Sequence, residues 1–132
     1  MRELSCDVVV IGAGPAGLAA AISAKRNGAE KVMIVERDVR GGGILQQCIH
    51  AGFGLQYFGQ ELTGPEYAER FLDMVNEEGI EIFFETTALE IRENYSSPCR
   101  IWEGCEWGTD SVSLFRGIDA DQSIERGTTE GL

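Results

Sequence analysis

Apolar and polar positions fall into blocks along this chain, and the first blocks set the expected fold. Val8–Ile11 is an unbroken apolar run, the pattern of a parallel strand covered on both faces. Cys6, at the start of this stretch, reads as a buried small hydrophobe. The helix-forming run Leu18–Arg26 follows closely, and Gly28 is placed to end it. Val32–Val35 is a second short apolar run, closed by Glu36. The pattern predicts adjacent parallel strands at Cys6–Ile11 and Val32–Val35, with a helix over Pro15–Asn27 crossing between them.

Further along, helical spacing returns over Leu62–Gly79. Tyr67, Phe71, Leu72 and Val75 form one apolar face, read as core rather than as a cofactor box. Thr63 with Glu66 fits a capping box, Pro65 lies in the first turn, and Gly79 marks the end. Ile80–Ile91 then reads as strand: Ile80, Ile82 and Phe84 alternate with Glu81, Phe83 and Glu85. A bend is expected at Thr86–Thr87, with a second short strand at Ala88–Ile91. From Asn94 to Leu132 no period persists and Gly, Ser, Asp and Thr accumulate. This stretch is expected to be poorly organised, with at best a short strand around Ser111–Phe115.

Between the first strand and its helix stand Gly12, Gly14 and Gly17, spaced G-x-G-x-x-G. The spacing suits a dinucleotide: Gly12 for the tight turn, Gly14 for close approach of a pyrophosphate, Gly17 for helix against strand. The helix start adds free N–H groups and the positive end of its dipole. Ala21 supplies a further small residue on the helix. Glu36 stands where a carboxylate accepts both ribose hydroxyls, and its charge disfavours a 2′-phosphate there. A second glycine patch, Gly41–Gly43, follows soon after. A plain dehydrogenase has no evident need for it, whereas FAD, with a ribityl chain and flavin ring beyond the pyrophosphate, does. Arg37 and Arg40 lie between the two patches, either as phosphate partners or as ordinary solvated surface.

Length, charge and cysteines narrow the picture. The 132 residues suit one small domain, too short for a nucleotide domain and a separate substrate domain. A net charge of −11 argues against a nucleic-acid partner. The charge is concentrated in residues 61–93, ten acids against two bases, which reads as a solvated acidic face. Cys6, Cys48, Cys99 and Cys105 form neither a C-x-x-C pair nor a zinc-like set, so no metal is expected. No signal peptide is read at the N-terminus, and a reduced, cytoplasmic compartment is the expectation. No apolar run approaches the ~20 residues that span a bilayer.

The stretches CDVVVIGAGPAGLAAAISAKRNG, KVMIVERD with its following glycines, and PEYAERFLDMVNEEGIEIFFETTALEI resemble the two-dinucleotide-binding flavoproteins. GGGILQQCIHAGFGLQYFGQELTGPEYAERF is similar to a bacterial subgroup of NAD(P)/FAD-dependent oxidoreductases linked to anaerobic glycerol-3-phosphate dehydrogenase-like proteins. The resemblance covers residues 1–93. It implies an α/β fold, a Rossmann-like βαβ FAD-binding domain with a parallel sheet, incomplete at its C-terminus. It also implies roles: Gly12, Gly14, Pro15, Ala16 and Gly17 on the FAD pyrophosphate, Glu36 on the adenosine ribose with Arg37 beside it, Gly42 and Gly43 along the ribityl and phosphate side, and backbone near Ala88 at the adenine edge. NAD(P)H or a small-molecule substrate would be the reaction partner.

Departures from the family pattern matter equally. Cys48 has no redox partner in its segment, so disulfide exchange is not supported. It reads as a buried thiol, or alternatively as a thiol close to the flavin. His50 reads as a structural or surface residue, or alternatively as a proton donor. A second G-x-G-x-x-G and a late apolar strand ending in Gly-Asp are both missing, and residues 94–132 do not resemble the family's next segment. Truncation or a frameshift after Glu93 would give this picture. The expected function is therefore the FAD-binding portion of a flavin-dependent oxidoreductase, not active alone. The alternative is a non-catalytic ADP/NAD-type nucleotide-binding module or subunit, completed by a partner subunit.

Overall fold

The computed structural model describes residues 2–93, 99–106 and 109–116. Strand β1 (Arg2–Cys6) is followed by β2 (Val8–Ile11), helix α1 (Pro15–Arg26) and β3 (Val32–Val35). A 3-10 turn at Gly43–Gln47 leads to β4 (Ala51–Phe53), the single turn α2 (Leu55–Phe58), β5 (Leu62–Thr63) and α3 (Gly64–Glu77). Strands β6 (Glu81–Phe83), β7 (Thr86–Glu93), β8 (Cys99–Glu106) and β9 (Thr109–Arg116) complete it.

The predicted βαβ unit is present. Strands β2 and β3 run parallel, from Val8 opposite Val32 to Ile11 opposite Val35, with α1 between them in sequence. Strand β6 adds to the other side of β3, also parallel, giving the order β2-β3-β6. The unbroken apolar run of β3 is explained by burial on both faces. Val32 and Ile34 join Leu18, Ala21 and Ile22 of α1 and Phe71 and Val75 of α3 in one cluster. Met33 and Val35 point the other way and pack with Cys6, against half-buried Val9, Phe83 and Ala88.

Gly17 shows why helix and strand need a glycine between them. A Cβ built there would lie 1.9 Å from the carbonyl oxygen of Gly12 and 3.3 Å from Val10 Cγ1. Backbone cannot retreat as a side chain can. Gly17→Ala is expected to cost about 1–3 kcal/mol or more, seen as a lower urea midpoint in ligand-free protein. An unchanged midpoint would mean that α1 can slide off β2 without penalty.

Four boundaries differ from expectation. Cys6 belongs to β1, not to the first parallel strand, because Asp7 breaks the run: its N–H donates to the Lys31 carbonyl at 2.8 Å and its carboxylate accepts the Lys31 N–H at 2.8 Å. Helix α3 begins at Gly64, since Leu62 and Thr63 pair with β4. Its capping box is complete: Thr63 accepts from the Glu66 N–H, and the Glu66 carboxylate accepts from the Thr63 N–H. That backbone donor holds the Glu66 carboxyl below its ordinary range. The bend falls at Phe84–Glu85, two residues before the expected place, with Glu85 at φ 52°. Finally, the stretch expected to be poorly organised contains two eight-residue strands, β8 and β9, paired antiparallel. Strand β8 also pairs with β1, and β9 with β7, in a sheet of order β1-β8-β9-β7. The Val112 and Leu114 alternation with Ser111 and Ser113 is extended because β9 has a neighbour on each side. Residues 94–98, 107–108 and 117–132 lie outside the described residues.

Candidate functional site: a glycine-lined cleft at the strand ends

Because β2, β3 and β6 are parallel, the loops that leave β2 and β3 emerge at the same sheet edge, where open α/β sheets bind ligands. Gly12 turns the chain off β2 at φ 100°, and its N–H donates to the Val35 carbonyl at 2.7 Å. Gly14 is the N-cap of α1, with Pro15 next, and its carbonyl accepts the Leu18 N–H at 2.9 Å. No side chain caps this end and no acid stands in the first turn, so its positive dipole end is left for an anion.

Gly14 differs from its neighbours in what demands it. Its φ of −74° and ψ of 178° suit any residue. A Cβ built there meets nothing within 4 Å. Neither backbone conformation nor packing calls for glycine at this position, whereas Gly12 needs its positive φ and Gly17 its missing Cβ. What a glycine provides here is open backbone for a ligand, and an extended pyrophosphate fits that requirement.

Glu36 comes back to this loop from the end of β3. It is 7% exposed. Its Oε2 accepts the Ala13 N–H at 2.6 Å and its Oε1 accepts the Asp38 N–H at 2.9 Å. Its own N–H donates to the Phe83 carbonyl, and its carbonyl accepts the Thr86 N–H. A buried carboxylate is tolerated when backbone donors satisfy it. The carboxylate therefore bridges the turn after β3 to the glycine loop after β2.

The second glycine patch folds onto the first. The Gly42 N–H donates to the Ala13 carbonyl at 2.7 Å. A Cβ on Gly43 would approach Gly14 Cα to 3.2 Å, and one on Gly41 would meet Leu72 Cδ2 at 2.7 Å. Beside them opens a cavity of about 480 Å³, lined among others by Arg37, Arg40, Gly43, Gln46 and Thr87. Both arginines are exposed, and neither is held in an ion pair among the described residues.

Gly12, Gly14, Pro15, Ala16, Gly17, Glu36, Gly42 and Gly43 are thus brought to one edge, and Arg37 lines the adjoining cavity. Ala88 is different: its side chain packs with Cys6, Met33 and Val35, and it is the preceding Thr87 that lines the cavity. Sequence reasoning missed Ala13 and Asp38, which act through backbone N–H groups and so leave no trace in residue type. It also missed Gln46 and Thr87, which only the folded chain brings to the cavity. Cys48 is half-buried, its Sγ donating to the Ile44 carbonyl at 3.4 Å. His50 is exposed, with its ring 5.4 Å from that of Phe53. Among the described residues no helix is long and apolar enough to cross a membrane.

The chain is similar to several known proteins. The chain is 38% identical over 97 residues to a thioredoxin reductase of Ureaplasma parvum serovar 3, covering 72% of this chain and 30% of that protein. It is 39% identical over 84 residues to sarcosine oxidase subunit alpha of Corynebacterium sp., covering 64% of this chain and 8% of that one. The chain therefore spans less than a third of either relative. Among solved structures, L-proline dehydrogenase from P. horikoshii superposes with a TM-score of 0.63 at 22% identity, over 86% of this chain and 21% of that one. A thioredoxin reductase from Gloeobacter violaceus gives 0.56 at 21% identity, over 85% of this chain and 32% of that one. Both share the fold. Residues 7–78 match the family model described as FAD dependent oxidoreductase. The chain belongs to the FAD-dependent oxidoreductase family.

Proposed function

We propose that this chain is the FAD-binding portion of a flavin oxidoreductase, with residues 1–93 forming the N-terminal segment of the binding domain. The observation that carries the residue assignment is Gly14, a glycine required by neither conformation nor packing, beside a carboxylate anchored to its loop. In this reading the backbone of Gly12, Gly14, Pro15, Ala16 and Gly17 faces the pyrophosphate, and Pro15, lacking an N–H, leaves the donors of the following residues to it. Glu36 takes the adenosine ribose and repels a 2′-phosphate. Arg37 adds positive charge at the cavity. Gly42 and Gly43 border the ribityl side, and the backbone near Ala88 meets the adenine edge. Bound flavin would supply the centre that exchanges hydride with NAD(P)H or a substrate. The residues named here bind and orient it.

The finer assignment is a subgroup linked to anaerobic glycerol-3-phosphate dehydrogenase-like proteins, working in the cytoplasm with a partner subunit. The segment from Gly41 to Phe71 supports the subgroup, and similarity to a protein named as a subunit of sarcosine oxidase supports the partner. Titration of the purified chain with FAD, NAD and ADP, followed by calorimetry and the flavin spectrum, tests the central reading. FAD is expected to bind more tightly than NAD. Equal affinity for FAD and NAD would favour a non-catalytic ADP/NAD-type module instead.

A further inference from the structure

Gln46 sits in the 3-10 turn Gly43–Gln47, half-buried, with its side chain folded back over the glycine patch. Its Nε2 donates to the Gly41 carbonyl at 2.8 Å. The space it occupies exists because Gly42 has no side chain: a Cβ there would lie 2.8 Å from Gln46 Nε2 and 3.3 Å from its Cγ. One N–H of the amide is thus committed to the turn, which fixes the side chain's direction. Its oxygen, Oε1, has no protein donor among the described residues. Gln46 also lines the 480 Å³ cavity together with Gly43 and Arg37. An amide fixed at its donor end and unpartnered at its acceptor end is arranged to receive an O–H. The arginines in the same cavity carry only donors; its other side-chain acceptors are Asp38, Gln47, Glu85 and Thr87, and Gln46 differs from them in being pinned against the glycine patch.

We infer that Gln46 is a cofactor-binding residue whose Oε1 accepts a hydrogen bond from a sugar-type hydroxyl of the dinucleotide. This rests on the FAD reading above and adds a residue to it. The ligand chemistry is a polyol hydroxyl, present both on the adenosine ribose and on the ribityl chain. The Gly41 contact makes the amide a reader of that hydroxyl, because a freely rotating glutamine would lose more entropy on binding.

The test compares wild type and Gln46→Ala in titrations with FAD, ADP and 2′-deoxy-ADP, alongside thermal unfolding of each free protein. One hydrogen bond predicts a loss of about fivefold to tenfold in FAD affinity. A matching loss for ADP, absent for 2′-deoxy-ADP, assigns the ribose 2′-hydroxyl. Loss for FAD alone assigns the ribityl chain. Either pattern supports the inference, since a merely structural role would weaken all three ligands together and lower the melting temperature in proportion. That uniform outcome overturns it, as does unchanged FAD affinity in Gln46→Ala. Wild-type protein that binds no FAD overturns the FAD reading and this one together, and is distinguished by the wild-type titration itself.

Discussion

Gly14→Val is expected to abolish FAD binding while the fold remains in place. The φ and ψ at Gly14 lie in extended space that valine adopts, and a Cβ there meets nothing within 4 Å. The cost to stability is that of a poorer N-cap, about 1 kcal/mol. The cost to binding is larger, because the side chain would stand where the pyrophosphate must approach the backbone. A loss of about a hundredfold or more is expected, equivalent to about 2.8 kcal/mol. Calorimetric titration with FAD, paired with a circular-dichroism melt, separates the two effects. A valine variant that bound FAD like wild type would remove the glycine loop from the binding site. The contrast with Gly17→Ala sharpens the test, since that substitution is expected to act on folding first.

Glu36→Gln is expected to weaken both the fold and the site, by separable amounts. The carboxylate accepts two backbone N–H groups, from Ala13 and Asp38. A glutamine offers one oxygen and one NH₂ group, so one of these donors would face another donor. Leaving a buried donor unsatisfied costs about 1–3 kcal/mol. That loss should appear in ligand-free protein as a lower urea midpoint. Affinity for FAD should fall further, by about tenfold, through the proposed ribose contact and through loosening of the loop that Ala13 belongs to. If the glutamine variant melted and bound like wild type, the bridge seen between the two loops would contribute nothing.

What could be read from the sequence was what depends on near neighbours along the chain. The apolar runs of β2 and β3, the glycine spacing and the Thr63–Glu66 cap are all local patterns, and each element appears where expected; only β3 is covered on both faces, however, because β2 ends the sheet order β2-β3-β6 and is half-buried, with Ile11 exposed. Glu36 was legible because its distance from the glycines is fixed by one helix and one strand. Contacts between distant segments were not legible. The break at Asp7 depends on Lys31, and the bend at Glu85 is held by its N–H donating to the Asp38 carbonyl. Strands β8 and β9 are ordered by partners rather than by a strong period of their own. The sequence pattern predicts that Gly41–Gly43 lies against a ligand. The structure shows that Gly41 and Gly42 also answer to Leu72, Ala68 and Gln46, so part of the glycine demand is internal packing.

Strands β3 and β6 are neighbours in the sheet, yet the chain between them runs from Glu36 to Ile80. Of that connection only α3 is needed to cross from one strand to the next. The 3-10 turn, α2 and the β4–β5 pair are carried beside the crossover without adding a strand to the parallel sheet. Such a detour can grow or shrink cheaply, because each doubling of a loop's length adds only about 0.6 kcal/mol of closure cost. Length variation confined to α2 and the β4–β5 pair would leave the parallel sheet, the glycine loop and the Gly41–Gln47 segment packed on it unchanged, while altering the walls beside them. Insertion there is a route by which the surroundings of the cleft change while the backbone that borders it stays the same.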